Sequence, residues 1–130
     1  MRDQDTNDFE DEPSAGGGYD RAFALRLHAG DGIARRIVVR LRRRPPQAPR
    51  VAIVLEQVRA GTFGTLMRYD DAHGRFHRHA PGWPVPGERI ETFLDAVPVR
   101  DRAAYAVGET QVRYTAWEAE VFGREGAGER

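Results

Sequence analysis

The sequence predicts an α+β fold: an antiparallel meander of about five strands followed by one long C-terminal helix packed on one face. Three observations carry this. Residues 22–43 alternate apolar and polar side chains on both sides of a glycine turn. Residues 51–80 hold three more short strand-like runs separated by turn residues. Residues 101–122 switch to helical spacing.

In the first strand, residues 22–29, Phe23, Leu25 and Leu27 share one face while Ala24, Arg26 and His28 share the other. Gly30-Asp31-Gly32 is a turn signal. In residues 33–43, Ile33, Ile37, Val39 and Leu41 point one way, and Arg36, Val38, Arg40 and Arg42 the other. A three-residue loop opposes Leu25 to Ile37 and Phe23 to Val39, whereas a two-residue loop opposes Leu25 to Arg36. The apolar pattern selects the three-residue register, which also sets Arg26 across from Arg36. Pro45, Pro46 and Pro49 end this strand, because proline cannot donate to a ladder.

Residues 51–58 form the third strand, with Val51, Ile53 and Leu55 on the core face and Glu56 on the other, within reach of an Arg of the preceding strand. Gly61-Thr62-Phe63-Gly64 is the expected turn into residues 65–69, and residues 70–75 join these to residues 76–80, with Tyr69 opposite Phe76. Pro81, Pro84 and Pro86 surround Trp83 in a stiff crossing, and a short helix is expected between Glu88 and Val97. Asp101 is a natural N-cap for the final helix. Its expected inward stripe runs through Ala104, Val107, Gln111, Tyr114, Glu118 and Val121, beside Ala103, Trp117 and Phe122. Gly108 marks close packing on the sheet in this reading.

Three segments follow: an acidic disordered tail over residues 1–18, a single folded domain over residues 19–122, and a disordered tail over residues 123–130. Formal charge is zero, from 20 basic and 20 acidic residues, which excludes a globally basic nucleic-acid binder. The charge is unevenly placed. Residues 1–12 carry six acids against Arg2 alone, and residues 20–50 carry nine Arg against Asp20 and Asp31.

With no cysteine, disulfides, zinc fingers and thiol nucleophiles are excluded. No apolar run is long enough to span a bilayer, and Met1 precedes Arg-Asp-Gln-Asp, so a cytoplasmic protein without membrane contact is expected. No Gly-rich loop ends in Lys-Ser/Thr, no Gly-x-Ser-x-Gly elbow exists, and there is no βαβ alternation. No cofactor is expected.

The candidate site is the segment Arg68 to His79, where three of the four histidines fall within seven residues. Arg68, His77 and His79 stand on one face of the expected hairpin, with His73 and Asp70 near its tip. Three readings stand side by side. The segment is a polar hairpin tip, or a metal site, or an anion site in which histidines exchange protons and an Arg stabilises charge on phosphorus. The interleaved arginines count against a metal. Beside the site, Arg26, Arg36, Arg40 and Arg42 make a basic strand face. It is either a solvated surface or a track for phosphates, with Trp83, Phe63 or Tyr69 for stacking.

The string Arg68-Tyr69-Asp70-x-Ala72-His73-Gly74-x-x-His77-Arg78-His79 resembles the Arg-Tyr-Asp plus His-x-His signature of small uncharacterised bacterial domains and of TumE-like toxins of toxin–antitoxin pairs. Here Asp71 stands where the toxins carry Asn. The resemblance implies an antitoxin or nucleic-acid partner. Two functions are carried forward. One is a toxin-like protein that acts on or binds RNA through an Arg/His sheet face, with metal-independent ribonuclease activity as its enzymatic form. The other is a non-catalytic domain for protein interaction or homodimerisation.

Overall fold

The computed structural model describes residues 9–11, 18–45, 48–82 and 89–128. The fold is α+β: a seven-stranded antiparallel meander, its strands in chain order, and one long C-terminal helix across one face. The strands are β1 (Phe9–Asp11), β2 (Arg21–Leu27), β3 (Arg35–Arg42), β4 (Arg50–Arg59), β5 (Thr62–Asp70), β6 (His77–His79) and β7 (Ile90–Phe93). The helix, α1, runs over Arg102–Gly128. Two strands exceed the expected five. β1 falls inside the segment read as disordered, where it pairs along the edge of β2. An edge strand's open amides and carbonyls recruit such a segment whatever its charge.

The β2–β3 register is the expected one, with Leu25 opposite Ile37, Phe23 opposite Val39 and Arg26 opposite Arg36. The ladder stops at Leu27 and Arg35, so the loop is longer than three residues. Asp31 is the cause. Its carboxylate accepts the Ile33 amide at 3.1 Å and holds the Arg35 guanidinium at 2.7 and 2.9 Å, which turns the chain inward.

The β4–β5 turn sits at Ala60-Gly61 rather than at residues 61–64, because Thr62 already pairs with Arg59. Both turn residues have positive φ, 53° and 80°, the geometry of a two-residue type I′ hairpin. A bulge opposite Leu55 and Glu56 leaves Leu66 outside the pairing and sends both Leu66 and Met67 into the core.

At β5–β6 the structure corrects the expected pairing. Tyr69 opposes Arg78 and Asp70 opposes His77. The Asp70 carboxylate accepts the Ala72 amide at 2.6 Å and starts a single 3-10 turn, Ala72–Gly74, that moves the hairpin closure. The slip is even-numbered, so every side chain keeps its face. Phe76 leaves the ladder and stacks on Tyr69, ring centroids 6.0 Å apart.

The helix expected between Glu88 and Val97 is instead β7. Ile90, Thr92 and Phe93 suit a strand, and the edge of β6 supplies the partner. The crossing around Trp83, Pro84 and Pro86 lies outside the described residues.

The core lies between the sheet and α1, where Ile37, Ile53, Leu55, Leu66, Met67, Tyr69, Phe76 and Trp117 are essentially buried. Each such apolar side chain contributes about 1.5–3 kcal/mol. The inward stripe of α1 is Ala106, Thr110, Trp117 and Val121, with Ala103, Val107, Tyr114, Glu118 and Phe122 half-buried. Ala104 and Gln111 face outward, so the expected stripe is rotated by about one position of a 3.6-residue turn. Gly108 does not mark close packing, since a Cβ there meets nothing within 4 Å. The helix also continues past residue 122, through backbone read from the sequence as a tail.

Two ionic latches fix α1 to the sheet. Arg35, only 2% exposed, donates to Glu118 through Nε at 2.5 Å and Nη2 at 2.9 Å, while Gln57 donates to the same carboxylate at 2.7 Å. Arg78 donates to Glu109 at 2.5 Å and to Glu91 at 2.9 Å, and the Tyr69 hydroxyl donates to Glu109. Burial, followed by the Glu109 contact, pushes the Tyr69 hydroxyl well above its ordinary range. Among the described residues, no helix is long and apolar enough to cross a membrane.

Candidate nucleic-acid interface

The sheet face turned away from α1 carries the expected site residues. Alternation along each strand assigns it. Ile37, Ile53 and Tyr69 face the helix, so Arg36, Val38, Arg40, Ala52, Val54, Arg68 and Asp70 face away. Over β2–β6 this face holds Arg26, Arg36, Arg40, Arg42, Arg50 and Arg68, against two acids, Glu56 and Asp70. Between the arginines lie Ala22, Ala24, Val38, Ala52 and Val54, all at most 9% exposed although, among the described residues, no helix covers them. Half-buried arginines flank these small residues.

The cross-strand contacts order part of this surface. Arg36 donates to Glu56 at 2.7 Å, the pairing expected from sequence, and its guanidinium lies 4.0 Å from the Phe63 ring centroid. Arg42 donates through Nε to the Ala48 carbonyl at 2.9 Å. Arg50 reaches Asp70 at 3.4 Å and Asp71 at 3.6 Å, and lies over Tyr19. Asp71 is 4% exposed and accepts from the Val51 amide and from Arg102, so it belongs to the scaffold.

The histidine pair continues this face. The His77 and His79 ring centroids are 5.0 Å apart, and His77 meets Phe93 edge-on at 6.1 Å. His77 lies beside Asp70 in the β5–β6 pairing, and Arg68 shares their face. The structure thus brings Arg68, Asp70, His77 and His79 together. It corrects their exposure: His77 is 6% exposed, and its Nδ1 lies 2.8 Å from the Arg75 carbonyl oxygen. A carbonyl only accepts, so Nδ1 carries the hydrogen. His73 falls in the 3-10 turn at the hairpin tip. At the open end of the sheet, Arg75 is paired to Asp95 at 2.5 Å and stacked 3.6 Å from the Phe93 centroid. The Arg75 hydrogen bond holds the Asp95 carboxyl below its usual range.

Among the described residues, no group of three His, Asp or Glu side chains is set to hold a metal ion. Glu91 and Asp95, four residues apart, do not form a carboxylate pair on a helix. Glu91 pairs with Arg78 and Asp95 with Arg75.

Arg35 and Arg78 escaped the sequence reading, although a signal for Arg35 existed. It shares the parity of Ile37, Val39 and Leu41, and Glu118 already stood on the expected helix stripe. A charge on each of two facing apolar surfaces marks a latch. Comparison with family models, with curated proteins and with solved structures finds no match to this chain.

Proposed function

We propose that this protein binds single-stranded RNA across the sheet face opposite α1. One observation carries the reading: Arg26 stands directly opposite Arg36 in the ladder, with Arg40 four residues further along the same face of β3. Like charges in directly opposed positions destabilise a sheet by about 0.2–1 kcal/mol. Glu56 answers part of that charge at Arg36, and a phosphate backbone laid across the strands adds to it and releases counterions. Arg36 over Phe63 and Arg75 over the 47%-exposed Phe93 supply guanidinium–ring pairs on which unpaired bases stack.

The reading is of binding rather than cleavage. A general acid or base must reach the proton it transfers, and the His77 ring is buried with one nitrogen committed to Arg75. A toxin-like role with an antitoxin partner then works through occupancy of RNA. Fluorescence anisotropy of a labelled single-stranded RNA tests the proposal. The triple variant Arg26→Gln, Arg36→Gln, Arg40→Gln is expected to lose at least tenfold in affinity at low salt with the RNA left intact. Unchanged affinity contradicts the proposal, and cleavage abolished by His77→Ala restores the enzymatic form.

The second reading, an interaction or dimerisation domain, is favoured by β7. This outer strand of the sheet exposes Ile90 at 44% and Phe93 at 47%. A concentration-dependent dimer lost in Ile90→Lys supports that reading.

A further inference from the structure

We infer that a second site, at the end of the sheet where Arg42 and Arg50 meet the entry to α1, binds a phosphate monoester carried on an apolar body, as in a mononucleotide. The site is a cleft of about 570 Å³ where the ends of β3 and β4 meet the segment entering α1. Ligand pockets for small molecules run to about 300–1,000 Å³.

Four guanidinium groups from three elements line the cleft: Arg42 and Arg43 at the end of β3, Arg50 at the start of β4, and Arg100 ahead of α1. No Asp or Glu is among its described lining residues. Between the cations the floor is apolar, built from Leu41, Val51, Val99 and Ala103. A bare oxyanion has no use for such a floor, whereas a phosphate linked to a flat ring uses both halves. Arginine recognises phosphate with paired hydrogen bonds.

The frame is fixed before any ligand arrives. Asp20 accepts the Arg43 and Arg44 amides at 3.0 and 3.1 Å, which pins the exit of β3. The Ala48 carbonyl holds Arg42 Nε, and Asp70 and Asp71 hold Arg50. These two walls are therefore preorganised. Arg43 is exposed, and Arg100, 85% exposed and 3.9 Å from Asp101, supplies the cation on the third wall of the cleft. Ala103, in the first turn of α1, adds the partial positive charge of a helix start.

Proton–nitrogen NMR titration of the full chain with AMP, adenosine and inorganic phosphate tests this. AMP is expected to shift the amides of Leu41, Arg42, Val99 and Ala103 saturably, and adenosine and phosphate to bind at least tenfold more weakly. The double variant Arg43→Gln, Arg100→Gln changes two exposed side chains and is expected to weaken AMP at least tenfold. Competition separates the sources of the nucleotide. Displacement of AMP by a 5′-phosphorylated RNA but not by its 5′-hydroxyl form assigns the cleft to a strand end, and displacement by neither assigns it to a free mononucleotide. Displacement by both overturns the monoester assignment, as do absent shifts, shifts confined to the amides around Arg26, Arg36 and Arg40, or an unchanged AMP affinity in the double variant. The sheet-face triple variant leaves every cleft residue in place, so failure of one site is read apart from failure of the other.

Discussion

Arg35 and Glu118, 83 residues apart in sequence, meet through Nε and Nη2 of the guanidinium and both carboxylate oxygens. The contact ties the start of β3 to the C-terminal half of α1 and sets how the helix lies on the sheet. Arg35 also stacks against Tyr114, with its guanidinium 5.3 Å from the ring centroid.

Breaking this pair from one side leaves a buried guanidinium with Asp31 as its only ionic partner among the described residues. Glu118→Ala is expected to cost about 3–5 kcal/mol in urea unfolding. The double change Arg35→Met, Glu118→Leu removes both charges and is expected to cost less than Glu118→Ala alone. A Glu118→Ala loss within about 0.5 kcal/mol, the range of ordinary surface changes, contradicts the latch.

Acid sensitivity follows from the same cluster. Hydrogen bonds from Arg35, then from the Ile33 amide, lower the Asp31 carboxyl to about 2. A carboxyl lowered in the folded state stabilises the fold above its unfolded pKa of about 3.9, and the contribution is lost as pH falls toward 2. Asp20, Asp95 and Glu109 are lowered as well and act in the same direction. Urea midpoints at pH 7, 4 and 2.5 are expected to fall with acid, and less steeply in Asp31→Asn. An identical acid slope in that variant contradicts the assignment.

Two backbone positions carry a removable cost, one in chain entropy and one in strain. Gly108 lies inside α1 with open space at its Cβ, so Gly108→Ala is expected to gain about 0.5–1 kcal/mol. Ala60 has a φ of 53°, which asparagine tolerates better than alanine, so Ala60→Asn is expected to gain about 0.5–1 kcal/mol. Thermal melts read both. Destabilisation by Gly108→Ala shows that the helix approaches a neighbour at that position.

Glu56 stands 2.7 Å from Arg36, so with RNA on the proposed face it would compete with phosphate for that guanidinium. Glu56→Gln is expected to tighten RNA binding about two- to fivefold at low salt, roughly the worth of one partly exposed ion pair. Weaker binding in that variant shows that Glu56 positions Arg36 for the ligand rather than competing with it.

The strand faces were legible in the sequence because period-two alternation survives any even slip. Arg26 opposite Arg36 and Glu56 beside Arg36 followed from it directly. The β5–β6 pairing was not legible, because it depends on the Asp70 carboxylate bonding to Ala72, a contact that spacing alone does not signal. β7 was missed because four residues beside a crossing carry too little pattern to separate strand from helix. The rotated stripe of α1 has a similar origin. The polar Thr110 is fully buried and the apolar Val112 is 79% exposed, so apolarity misleads at both positions. The exposure of His77 depends on its neighbours across three strands, and the cleft at Arg43 and Arg100 on how the entry to α1 meets the sheet. Both are tertiary facts.

The salt dependence of RNA binding tests the central claim most directly. Dissociation constants of one single-stranded RNA are measured from 50 to 300 mM salt for the parent and for the Arg26→Gln, Arg36→Gln, Arg40→Gln variant. With the RNA on the sheet face, the log–log slope is expected to flatten by about 0.7 per lost phosphate contact, about two in all. Equal slopes for the two proteins, with RNA still bound, place the nucleic acid elsewhere and contradict the account.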